Sequence, residues 1–190
     1  IEGEIRGNLV FTGADTDPET LNTLGNLGFE NPQAIDSMVR VWHHGRYRST
    51  RNTRARQLLT ELMPVLLKSL GGTANPDQAF LRFNEFLAGL PAGIQLFSMF
   101  HSNPHLLELV AEIMGEAPKL ARHLSQKPFI LDSVLDPGFL DAPPSPDELR
   151  RDLEAILQQA KYVEDILDAT RRWANDHWFQ VGVQSLRGHQ

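Results

Sequence analysis

Ser145-Pro146-Asp147-Glu148-Leu149-Arg150-Arg151-Asp152-Leu153-Glu154-Ala155-Ile156-Leu157 carries the start signals of an α-helix in its first four residues. The Ser145 hydroxyl can accept from a free N–H of the first turn. Pro146 stands at the first helical position, where a missing N–H costs nothing, and Glu148 completes a capping box. Apolar residues then recur at Leu149, Leu153, Ile156, Leu157, Ala160, Val163, Ile166 and Leu167. Steps of three and four draw one stripe along a helix. Asp147 and Glu148 open it, and Arg171 and Arg172 stand near its end, complementing the helix dipole. The spacing predicts one long helix across this whole stretch.

The same polar-cap-then-proline punctuation recurs at Asp17-Pro18, Asn31-Pro32, Asn75-Pro76 and Asn103-Pro104. Ala55, Leu58, Leu59, Leu62, Met63, Leu66 and Leu70 form another helical stripe, with Pro64 inside it as an expected kink. Shorter helices are predicted over roughly 18–27, 32–43, 76–89, 92–101, 104–114, 117–125 and 128–135. Gly71-Gly72, Gly115 and Asp136-Pro137-Gly138 separate some of them, and Asp141-Ala142-Pro143-Pro144 is the clearest hinge. Asn8 to Thr12 is the one stretch that reads as a short strand. The fold class is therefore all-α: a multi-helix bundle of about nine helices, as one body or two helical subdomains. Residues 1–16 are expected to be an extended linker, 17–141 a helical core, and 142–190 long C-terminal helices.

Composition narrows the function classes. The 190 residues are 41% hydrophobic and 22% charged, which is ordinary for a globular protein. The formal net charge is -6, whereas nucleic-acid binders usually show a basic surface, so no nucleic-acid partner is expected. The absence of cysteine rules out disulfides, thiolate zinc sites and cysteine nucleophiles. It fits a cytoplasmic location. No apolar run approaches the roughly 18 residues of a membrane span, so no membrane partner is expected either. The start, Ile1-Glu2-Gly3-Glu4, resembles no signal peptide and lacks Met, so the chain reads as a piece of a longer protein.

Four groups of residues invite a chemical reading. In Gly13-Ala14-Asp15-Thr16-Asp17 two carboxylates in D-x-D spacing could hold Mg²⁺ against a triphosphate. Such a pair needs a rigid strand, however, and Pro18-Glu19-Thr20-Leu21 starts a helix, so an N-cap role for Asp17 or Thr16 is the expected one. The second group runs from Arg40 to Arg56: Trp42, His43, His44, Arg46, Tyr47, Arg48, Arg51, Arg54 and Arg56, with no acid between Asp36 and Glu61. Guanidinium forks bind phosphate or carboxylate bidentately and stack on aromatic rings. A nucleotide, an acidic partner or a neighbouring domain would each suit it; so would a solvated face paired with acids elsewhere. The third group is the histidines. His43 and His44 diverge by about 100° on a helix, and Pro104 separates His101 from His105, so no metal site is expected. The fourth, Phe80, Phe83, Phe86, Leu87, Leu90, Ile94, Leu96, Phe97 and Phe100, reads as core. Neither a nucleophile elbow nor a P-loop occurs, and no catalytic residue is assigned.

Longer runs carry a family resemblance. These are Leu90-Pro91-Ala92-Gly93-Ile94-Gln95-Leu96-Phe97-Ser98-Met99-Phe100, Ser102-Asn103-Pro104, and Ala111-Glu112-Ile113-Met114-Gly115 with Ala117-Pro118. Trp42-His43-His44-Gly45-Arg46-Tyr47-Arg48, Leu59-Thr60-Glu61-Leu62-Met63-Pro64, Arg172-Trp173 and Phe179-Gln180-Val181-Gly182-Val183-Gln184 with Leu186-Arg187-Gly188 add to them. Together, from about Val10 to Gly188, they resemble the glutamate–ammonia-ligase (glutamine synthetase) adenylyltransferase family, the bifunctional adenylyltransferase/deadenylylases.

The resemblance implies a parent enzyme with two nucleotidyltransferase domains, one attaching AMP from ATP to glutamine synthetase and one removing it by phosphorolysis. Glutamine and the PII signalling protein would set the balance. Each such domain carries a strand-borne Gly-Ser-Asp-x-Asp type motif, which Gly13 to Asp17 imitates only superficially. The resemblance thus implies a central helical, regulatory or linker segment whose end leads toward a catalytic domain. ATP and Mg²⁺ would serve the parent, with no cofactor in this segment. A passive helical scaffold or a protein-interaction module is the alternative.

Overall fold

A computed structural model describes residues 7–13, 15–136, 138–141 and 144–188. It is all-α. Ten α-helices and no strand occur among the described residues. The chain divides into two compact units, Ile1–Pro128 and Phe129–Gln190.

The first unit contains α1 (Pro18–Asn26), α2 (Pro32–His43), α3 (Thr53–Gly71), α4 (Pro76–Gly89), α5 (Ile94–Ser102), α6 (Pro104–Glu116) and α7 (Pro118–Gln126). Each expected cap–proline pair starts a helix. Asp17 accepts from the Thr20 N–H at 3.0 Å, and Asn31 accepts from the Ala34 N–H at 3.2 Å. Asn103 works backward instead, donating to Met99 O at 3.1 Å, so it closes α5 while α6 begins. Helix α3 continues through Pro64, whose ring lies on the exposed side.

Helix α4 packs on α3, α6 and α7, and α3 packs on α5 and α6. Their shared interior holds the phenylalanines expected there: Phe80, Phe83, Phe86, Phe97 and Phe100 are all fully buried, while Ile94 stays exposed. Trp42 stacks on Phe80 with ring centroids 5.0 Å apart and meets Phe83 edge-on. Gly71 lets α3 approach the chain after α1; a Cβ there would lie 2.2 Å from Leu27 O.

The strand expected at residues 8–12 does not form, and among the described residues there is no second strand to pair with it. The segment is instead pinned to α1. The Val10 N–H donates to the Thr20 hydroxyl at 2.9 Å, and the Asn8 amide donates to Glu19 Oε2 at 2.9 Å.

The second unit contains the short α8 (Leu131–Val134), α9 (Pro146–Leu157) and α10 (Val163–Gly188). Ser145 and Glu148 form the expected capping box. The predicted single long helix is in fact two, broken over residues 158–162. Asp165 accepts from the Lys161 and Tyr162 N–H groups at 3.2 and 3.1 Å and so caps the start of α10. The break lets α10 pack against α9, which half-buries Leu149, Leu153, Ile156 and Leu157 while Val163, Ile166 and Leu167 stay exposed. The Trp173 indole donates to Asp152 Oδ2 at 2.8 Å across the pair. Gln180 and Gln184 donate to Phe139 O, tying the 138–141 turn to α10. Ala142 and Pro143 of the expected hinge, like residues 1–6 of the expected linker, lie outside the described residues.

Helix α9 has no fully buried side chain, whereas α4 buries five residues. Local opening follows the amount of buried apolar contact. The amides of α9 are therefore expected to exchange with deuterium roughly tenfold or more faster than those of α4. Equal protection in the two helices would contradict this packing difference.

Candidate functional site

Of the D-x-D pair, Asp17 is taken up by the fold through its carboxylate, and Asp15, which is exposed, through its backbone carbonyl alone. The Asp17 carboxylate caps α1, accepting from both the N–H and the hydroxyl of Thr20. That hydroxyl bond pulls its pKa below the ordinary 3.8. The segment's backbone wraps Arg40, whose guanidinium donates to Gly13 O at 2.8 Å and to Asp15 O at 2.9 Å. Arg40 is fixed in turn by fully buried Asp36 at 2.8 Å, and Thr16 donates to the same Asp36 oxygen at 3.0 Å. This is an N-cap and a latch. It leaves no pair of free, converging carboxylates.

The histidines are dispersed. His101 faces Glu61 at 3.3 Å, and His105 faces Glu108 at 3.2 Å on its own helix. Among the described residues no group of three His, Cys, Asp or Glu side chains could hold a metal.

The basic segment between α2 and α3 separates into a buried frame and an exposed face. Trp42 is fully buried, and its indole N–H donates to Asn84 Oδ1 at 2.9 Å. The Tyr47 hydroxyl donates to the same oxygen at 3.1 Å. Arg56 turns back on the loop, donating to Thr50 O at 3.0 Å and to Arg51 O at 2.6 Å. His43 lies half-buried under Phe11, ring on ring at 6.0 Å. Trp42, His43, Tyr47 and Arg56 thus hold the loop. His44, Arg46, Arg48, Arg51 and Arg54 are exposed. Two anchors had no signal in the basic segment's charge pattern. Ser49 and Thr50, in a single 3-10 turn over Arg48–Thr50, are fully buried, and the Ser49 hydroxyl donates to Leu87 O at 2.6 Å.

Burial pushes the His43 imidazole below its ordinary 6.5, and the charges of His44, Arg40 and Arg56 push the same way. The unfolded chain takes up that proton near its ordinary value, the folded chain only at lower pH. Stability present above that window is thus lost as pH falls through it. The melting temperature of His43→Gln is expected to fall less steeply than that of the unaltered chain between about pH 7 and pH 5. Parallel slopes would remove His43 from the account.

In the second unit, His177 was not singled out by sequence. Its Nδ1–H donates to Trp173 O at 2.9 Å, and its Nε2 lies 3.8 Å from Asp152 Oδ2. Cavities of about 200, 260 and 430 Å³ adjoin it. Asp152 is already engaged by Trp173.

Comparison with known proteins decides the family. The model of the family described as glutamate-ammonia ligase adenylyltransferase matches residues 107–190. A protein of Mesorhizobium japonicum, named bifunctional glutamine synthetase adenylyltransferase/adenylyl-removing enzyme, is 50% identical over 96% of the chain. Proteins of the same name from Agrobacterium fabrum and Brucella melitensis are 47% and 46% identical over 96% and 98% of it. The chain belongs to the glutamate-ammonia ligase adenylyltransferase family. It spans only 18%, 18% and 19% of the length of these three adenylyltransferases, respectively. The similarity to them runs through both units, so it covers the arginine loop as well as α9 and α10.

Proposed function

We propose that this chain is a helical, non-catalytic segment of an enzyme that attaches AMP to glutamine synthetase and removes it again. The observation that carries the reading is the fate of the D-x-D pair. The Asp17 carboxylate caps a helix and Asp15 is anchored through its backbone carbonyl on Arg40, which supports reading the pair as structural. The similarity to proteins named for both activities supplies the substrate and the reaction. AMP transfer, with its ATP and Mg²⁺, would then fall to nucleotidyltransferase domains elsewhere in the parent. This segment would position those domains and pass on the state set by glutamine and PII, in the cytoplasm. Such coupling needs an element whose arrangement both active sites bias. A chain of two compact units, built from capped helices, suits that role.

The test is Asp15→Asn with Asp17→Asn in the full-length enzyme. Asparagine keeps the N-cap, so the fold is retained. Both AMP attachment and AMP removal are expected to stay within about twofold of the unaltered enzyme, because neither acid touches a reacting group. A loss of about 100-fold or more in either rate would make the acids catalytic and sink the reading.

A further inference from the structure

The loop between α2 and α3 is fixed from within yet charged on the outside, and its charges are unspent. Its backbone is held by Ser49 on Leu87 O, by Tyr47 on Asn84 and by Arg56 on the carbonyls of Thr50 and Arg51. Gly93 presses on it so closely that a Cβ would lie 2.2 Å from Ser49 O. On this fixed frame stand Arg46, Arg48, Arg51 and Arg54, all exposed. None of the four guanidinium groups makes a hydrogen bond or ion pair with another described residue. The solvated-face reading expected acids elsewhere in the fold to pair with them, and among the described residues none does.

Stability does not account for the placement. Arg54 sits in the first turn of α3, which contains no acid. A positive charge there faces the positive end of the helix dipole and is unfavourable. Four exposed, like-charged side chains also repel one another. A preorganised loop with unpaired arginines is what a docking surface requires, because little side-chain and backbone order remains to be lost on binding.

We propose that Arg46, Arg48, Arg51 and Arg54 form a docking face for a carboxylate-rich protein surface. The four side chains are spread over a loop, a 3-10 turn and a helix start on the outside of the unit, so they suit several carboxylates on an extended face. A single small anion would need donors converging in a concave site. A nucleic acid would meet a chain of net charge -6. Arginine is enriched in protein interfaces because its fork pairs bidentately with carboxylates. The proposal concerns a contact and is independent of the AMP chemistry above, so either can fail alone.

The experiment measures binding of labelled poly-L-glutamate to the chain, with inorganic tripolyphosphate and a single-stranded oligonucleotide as competitors. Replacing all four arginines by glutamine is expected to weaken poly-L-glutamate binding about tenfold or more, while lysine at the same positions restores part of it. Lys119→Gln with Arg122→Gln and Lys127→Gln, three exposed charges on and just after α7, is expected to change affinity by less than about twofold. Unchanged melting checks the fold. If the fourfold variant melts early, the pairs Arg46→Gln/Arg48→Gln and Arg51→Gln/Arg54→Gln are read instead, and each is expected to weaken binding. Unweakened binding in these variants would overturn the proposal, as would an equal loss in the α7 control. Tighter binding of tripolyphosphate or the oligonucleotide through the same arginines would also overturn it.

Discussion

Replacing Trp42 with alanine is expected to destabilise the Ile1–Pro128 unit by about 3–5 kcal/mol, the range for deleting a large aromatic from a packed core. Trp42 has no exposed surface, stacks on Phe80 at 5.0 Å, and gives its indole N–H to Asn84. Alanine would lose the rings' contact and leave a cavity between α2 and α4. Trp42→Phe keeps most of the apolar volume and loses the hydrogen bond to Asn84, whose oxygen retains the Tyr47 hydroxyl as donor. It is expected to cost about 1–2 kcal/mol, well below the alanine value. Urea denaturation of the three proteins measures both. A loss under about 1 kcal/mol for alanine would mean that Trp42 lies at the surface, as an exposed binding cluster would have it.

The second large effect is expected at Gly93. An alanine Cβ would sit 2.2 Å from Ser49 O and 2.5 Å from a Phe97 ring carbon. A carbonyl of the main chain cannot swing aside as a side-chain tip can, so the 3-10 turn must move. The expected cost is about 1–3 kcal/mol or more, as for overpacking in general. Gly72→Ala is the matched control. Its φ is -79° and its nearest outside atom would be 3.4 Å away, so little change is expected there. Because the displaced turn carries the arginine face, Gly93→Ala should also weaken poly-L-glutamate binding, though it removes no charge. Equal stabilities for the two alanine variants would show that the loop is not held from below.

The features legible in the sequence are those set by neighbouring residues. Asp17-Pro18, Asn31-Pro32 and Ser145-Pro146 announce helix starts because cap and capped N–H lie within three residues of one another. The phenylalanine stripe announced the core for the same reason. The break at 158–162 was not legible. Gln158-Gln159-Ala160-Lys161 contains neither glycine nor proline, the apolar spacing runs straight across it, and only Asp165 marks the new start. The arginine loop was half legible. Its charge could be read from Arg46 to Arg56, but not which side chains face inward. That depends on Asn84 and Leu87, 37 and 38 residues away along the chain. Trp42 and Tyr47 read in the sequence as members of one cluster with the arginines, while in the fold both turn to Asn84 and hold the loop. Gly13 to Asp17 shows how a short motif misleads. D-x-D spacing is equally good for a metal ligand pair and for a cap followed by a latch, and only the position of Arg40 decides between them.

On the proposed function, this chain is part of an AMP-transferring enzyme and transfers no AMP itself. Incubating the chain with glutamine synthetase, Mg²⁺ and ATP labelled at the α-phosphate tests it directly. Label on glutamine synthetase is expected to be no higher than in a reaction without the chain. Label above that background, abolished by Asp15→Asn with Asp17→Asn, would place a catalytic site in this chain and contradict it.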